Sequence, residues 1–174
     1  MYRKLFHISE ESSIDLFIPR ASKSKWGGKR YVWAIEEKMI HNYLFPRACP
    51  RICVGSDLFN PLAQWIDIND TIGTKALVFV PEQWEEIIND CILYKYQFEP
   101  KNFKMIDPTA GYYVSEQKEK PLEVEQISNS LHLLESMHVA VSVQPSQAMK
   151  LIQEKVVQAT NQFSIIKWEN LDKD

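Results

Sequence analysis

The chain has 174 residues, 45% hydrophobic and 11% aromatic, with a formal net charge of −3. That length fits one globular domain spanning residues 1–174, and that apolar content supplies a packed core and excludes wholesale disorder. The longest apolar runs, such as Ala76–Val80, are too short to span a bilayer, and Met1–His7 has no apolar secretory core, so a cytoplasmic protein is expected.

The charge is uneven. Residues 1–60 carry 10 Lys/Arg against 6 Asp/Glu, and residues 61–174 carry 10 against 17. A basic first third on an acidic body attracts a small anionic ligand, but it is too sparse for the face that duplex nucleic acid requires. Cys49, Cys53 and Cys91 read as reduced thiols. The Cys49-x3-Cys53 spacing lacks a second ligand pair, so no metal is expected.

In chain order, Lys4–Ser9 predicts a strand, and 10–13 a turn. Ile14–Ile18 is a second apolar run, ended by Pro19. Arg20–Arg30 reads as a loop with five cations and Gly27-Gly28. It is either a solvated loop or an anion clamp, because paired glycines let backbone N–H groups approach an anion. Tyr31–Ile35 predicts a strand. A helix is expected over Glu36–Phe45, with Met39, Ile40, Tyr43 and Leu44 facing the core and His41 peripheral. Pro46 stops it. Strands are expected at 52–55 and 75–80, with a helical turn near Leu62–Ile66 between them. A helix starts at Pro81, with acids in its first turn. Cys91–Phe98 alternates as a half-buried strand, 99–109 reads as a loop, and Ala110–Ser115 is a further strand. Pro121–Ile127 alternates again, with Glu123 and Glu125 outward.

Ser128 is placed to cap a helix reaching His138. Val139–Val143, a helix over 146–160 and Phe163–Trp168 form a strand–helix–strand unit, read as a parallel crossover with Met149, Ile152, Val156 and Ala159 inward. The expected fold is α+β: a single domain with a mixed, bent or split sheet and flanking helices.

No P-loop, Gly-x-Gly-x-x-Gly, Gly-x-Ser-x-Gly or His-Glu-x-x-His motif is present. What remains is a set of polar residues on or beside strands: His7, Ser9, Arg20, Arg47, Arg51, Tyr112, Tyr113 and Ser115. His7 has two readings, a core histidine bonded to backbone or an acid/base and ligand-orienting group. Arg20, Arg47 and Arg51 either cap strand ends or offer forked recognition of a phosphate or carboxylate.

The blocks Leu5–Ser9, Val32–Glu36, Phe45–Arg47, Cys49–Arg51, Ala110–Ser115, Pro121-Leu122 and Phe163–Ile166 resemble a small family of uncharacterised bacterial proteins, defined by a domain of unknown function. The opening, a first strand ending in His-x-Ser followed by a strand and a basic segment, is also similar to ADP-ribosyltransferase-like folds. That resemblance implies that His7 and Ser9 hold the ribose of NAD and that arginines hold its phosphates. It further implies that Tyr43, Tyr112 or Tyr113 stacks on nicotinamide. Glu119, in Gln117-x-Glu119, would stabilise the oxocarbenium-like transition state. The alternative on the same fold is a non-catalytic binding or interaction protein, which needs no Glu119 beside His7.

Overall fold

A computed structural model describes residues 4–21, 28–63, 73–160 and 162–172. The strands along the chain are β1 (Leu5–Ser9), β2 (Arg20–Ala21), β3 (Arg30–Glu36), β4 (Arg51–Gly55), β5 (Ala76–Pro81), β6 (Leu93–Phe98), β7 (Lys104–Asp107), β8 (Tyr112–Ser115), β9 (Glu123–Ile127), β10 (Val139–Gln144) and β11 (Phe163–Ile166). The α-helices are α1 (Phe59–Ala63), α2 (Glu85–Asp90), α3 (Ser130–Ser136) and α4 (Ser146–Ala159). The fold is α+β, and among the described residues there are two separate sheets, one of seven strands and one of four. Each sheet belongs to its own unit: Met1–Tyr43 with Ile92–Ile127, and Leu44–Cys91 with Ser128–Asp174.

The first unit holds the antiparallel sheet β7-β8-β3-β1-β6-β9, with β2 paired to β3. Side chains alternate across a strand, so register decides which residues share a face. Leu5 lies opposite Phe98, His7 opposite Tyr96, and Ala34 opposite Tyr113. That face carries the core of Leu5, Val32, Ala34, Tyr96, Phe98, Phe103 and Tyr113.

Residues 10–19 strap this core down. The Tyr96 hydroxyl accepts the N–H of Ile14 at 3.2 Å and donates to the carbonyl of Glu11 at 2.6 Å. Phe17 packs edge-on against His7, Tyr96 and Phe98, with centroids 5.0, 5.2 and 4.9 Å away. Its backbone exchanges hydrogen bonds with Glu119, at 2.8 and 3.0 Å. Ile14–Ile18 therefore forms a single bridge at Phe17. It makes no strand: Phe17 is buried in the core, while Leu16 and Ile18 are exposed.

Three further expectations in this unit are corrected. The helix over 36–45 is a 3-10 helix, Glu37–Tyr43. Its 120° step per residue replaces the 100° of an α-helix. Ile40, His41 and Asn42 are enclosed together, so His41 is buried, not peripheral. The basic loop contains β2, paired to the start of β3; Lys23, Lys25 and Gly27 lie outside the described residues. The loop at 99–109 contains β7, an edge strand whose exposed Lys104 and Met105 give no apolar alternation. On β9, Glu123 and Glu125 face outward, but Val124 is also exposed. Gly111, entering β8, has φ +68°, and its carbonyl accepts the N–H of Glu36 at 3.0 Å. A Cβ there would come within 2.8–3.0 Å of Met39 and Glu36 side-chain carbons, so both conformation and space favour glycine.

The second unit has strand order β10-β5-β4-β11. β5 is buried along its whole length and flanked on both sides, which is why it reads as an unbroken apolar run. β10 is parallel to β5, β4 antiparallel to β5, and β11 antiparallel to β4. β10 and β11 therefore run in the same direction, and β10–α4–β11 is the expected parallel crossover. Met149, Ile152 and Val156 of α4 are 0%, 1% and 0% exposed. They join Ile52, Val54, Leu77 and Phe79 in one core. Asn129, not Ser128, caps α3, its Oδ1 accepting the N–H of His132 at 2.9 Å. β11 ends at Ile166: Lys167 is left-handed at φ +54°, and Trp168 opens a 3-10 turn. Among the described residues no helix is long and apolar enough to cross a membrane.

Candidate functional site

His7, Ser9, Arg20, Tyr43, Tyr113 and Glu119 lie in the first unit, and Arg47 and Arg51 in the second. His7 is half-buried, with Nδ1 2.9 Å from the carbonyl oxygen of Trp33. A carbonyl only accepts, so Nδ1 carries the proton in this contact. Ser9 accepts the N–H of Glu11 at 3.1 Å. Phe17 links His7 to Glu119, its ring on the imidazole and its backbone paired to that of Glu119.

The Glu119 carboxylate is already clasped. Ser115 Oγ donates to Oε1 at 2.5 Å, and Asn102 Nδ2 donates to Oε2 at 3.4 Å. Glu119 is 6% exposed, and Ser115 Oγ also accepts the N–H of Gln117 at 3.1 Å. The turn from 115 to 119 is thereby closed by two side-chain contacts and anchored to Phe17.

The aromatic candidates separate. Tyr113 is part of the core. Tyr43 contacts the Tyr112 hydroxyl with its own, and Tyr31, Trp33, Tyr112 and Tyr43 form an edge-to-face row. Arg20 is exposed on β2, across from Tyr31.

In the second unit Arg47 is exposed, whereas Arg51 is 2% exposed. Arg51 Nη1 donates to the Cys49 carbonyl at 2.7 Å, and its guanidinium lies 5.4 Å from the centroid of the Phe45 ring. Cys49, Cys53 and Cys91 are free thiols. Burial pushes both Cys49 and Cys53 up to about 12, outweighing the pull of Arg51 in the other direction. They stay protonated and are poor nucleophiles.

This has an alkaline signature. The folded thiols hold their protons while those of the unfolded chain release them from near the ordinary value of 9.0. Their stabilisation is therefore complete below about pH 9 and is lost as pH rises towards 12. Between pH 8 and 10 the wild type should lose about 1–3 kcal/mol more than a Cys49→Ala/Cys53→Ala variant, in urea titrations at both pH values. Equal losses would show that the thiols ionise alike in both states.

The structure adds a site that was only partly visible in the sequence. Ile18, Pro19, Lys29, Arg30, Glu116 and Lys118 line a notch of about 610 Å³ in the first unit. Arg30 donates through Nε to the Pro19 carbonyl at 3.1 Å, which orients the guanidinium and leaves its terminal nitrogens without a hydrogen-bond partner among the described residues. Lys29 Nζ is 3.5 Å from Glu116 Oε1. The notch thus has three cations and one carboxylate. Lys29 and Arg30 were among the counted loop cations. Glu116 and Lys118 flank Gln117 and join them through the 115–119 turn.

A model for a family of unknown function, DUF6886, matches residues 6–171. The chain belongs to that family. The match runs through both units of the DUF6886 chain. No curated protein and no solved structure matches it.

Proposed function

We propose that this DUF6886 protein binds a small phosphate-bearing ligand of the nucleotide class, such as NAD or ADP-ribose, in the notch of its first unit. The observation carrying this reading is Arg30: its Nε is tied to Pro19, so its fork is oriented beside Lys29 and Lys118. A forked guanidinium and two ammonium groups suit a phosphate, and pre-orientation reduces the entropy lost on binding. Glu119 supports binding over group transfer. Its two oxygens are engaged by Ser115 and Asn102, and its role is to hold the turn that presents Lys118.

Calorimetric titration with NAD and ADP-ribose tests this. Arg30→Ala should weaken binding about tenfold, and added salt should weaken the wild type because exposed charge attraction is screened. Absence of binding by the wild type would overturn the proposal. Consumption of NAD by the wild type, lost in Glu119→Gln, would replace it with the ADP-ribosyltransferase reading.

A further inference from the structure

A bare anion site does not need Glu116. Its carboxylate lines the notch and sits 3.5 Å from Lys29, where it competes with any incoming phosphate. Its backbone position is not casual. It follows β8 directly, in the turn closed by the Gln117–Ser115 and Ser115–Glu119 contacts and pinned to Phe17. One clamped turn therefore presents Lys118 and Glu116 to the same space: a cation for a phosphate and an acceptor-only group beside it.

We infer that Glu116 reads hydroxyl donors on the ligand, so that the notch takes a phosphorylated sugar in preference to free phosphate. This rests on the notch being the ligand site. A carboxylate repels a bare phosphate, but it accepts hydrogen bonds from sugar hydroxyls, and charge-assisted bonds of that kind are the stronger ones. The same residue penalises one ligand and rewards the other. Glu116 is thus a specificity-determining residue, and the ligand is a ribose phosphate or a nucleotide carrying one.

The test uses inorganic phosphate and ribose 5-phosphate as probes, with binding followed by NMR shift titration of the full chain. Wild type should prefer ribose 5-phosphate. Glu116→Ala should tighten phosphate about two- to fivefold and weaken ribose 5-phosphate about five- to tenfold. Glu116→Gln, which removes the charge and keeps an acceptor oxygen, should tighten phosphate similarly and lose less of the sugar phosphate. Thermal melts confirm that both variants fold. If wild type binds neither probe, the site and the role of Glu116 fall together. If wild type binds both and Glu116→Ala shifts both affinities in the same direction, the site stands and the role of Glu116 is overturned.

Discussion

Replacing Phe17 with Ala should cost about 3–5 kcal/mol, the range for truncating a buried phenylalanine. Phe17 belongs to no strand or helix, yet its ring is enclosed by His7, Tyr96 and Phe98. Ala would empty the space under the strap. The backbone pair with Glu119 could then persist only by ordering residues 10–19 without that packing, at a conformational cost per residue. Denaturant titration measures the loss. Leu16→Ala, one residue away at an exposed position, should change stability by less than about 0.5 kcal/mol. A Phe17→Ala cost below about 1 kcal/mol would mean that the strap is held by its hydrogen bonds to Tyr96 and not by its ring.

Ile152→Ala should cost about 2–5 kcal/mol. Ile152 is fully buried between Met149 and Val156 on the inward face of α4, against the sheet that carries Ile52, Val54, Leu77 and Phe79. Val157, on the outward face at 53% exposure, is the control, and Val157→Ala should fall within about 0.5 kcal/mol of wild type. Similar costs at the two positions, read from urea midpoints, would contradict the packing of α4.

The parts of the fold that were legible share one property: their signal is local. The 3- and 4-residue spacing of Met149, Ile152 and Val156 announces α4, and the run Ala76–Val80 announces a strand buried on both sides. Where the signal was weak, competing physics decided. Apolar spacing at Met39, Ile40, Tyr43 and Leu44 suits an α-helix, but the segment winds as a 3-10 helix in which Ile40, His41 and Asn42 are buried. β7 is a polar edge strand that takes its order from β8. The candidate site is harder still. The resemblance singled out Glu119 as a catalytic acid, but the contacts that Asn102 and Ser115 make with its carboxylate are set by the fold and not by any motif. The notch joins Ile18, Pro19, Lys29, Arg30, Glu116 and Lys118, and of these the charge count of the basic loop picks out only Lys29 and Arg30.

The interleaving of the two units also sets an order of assembly. β1 finds β3 nearby, but its other neighbour, β6, begins at Leu93, and β5 waits for β10 at Val139. Long-range pairings of this kind are slow to form, because loop closure precedes any gain in contacts. As the chain leaves the ribosome, the first unit has all its described strands once Ile127 has emerged, while β4 and β5 still lack both outer partners. Until α4 arrives, the face of β5 that carries Leu77 and Phe79 lacks the cover of Met149, Ile152 and Val156. The seven-stranded unit is thus finished first, while the second sheet is half-built and its exposed strands are the segment most in need of protection from aggregation during synthesis.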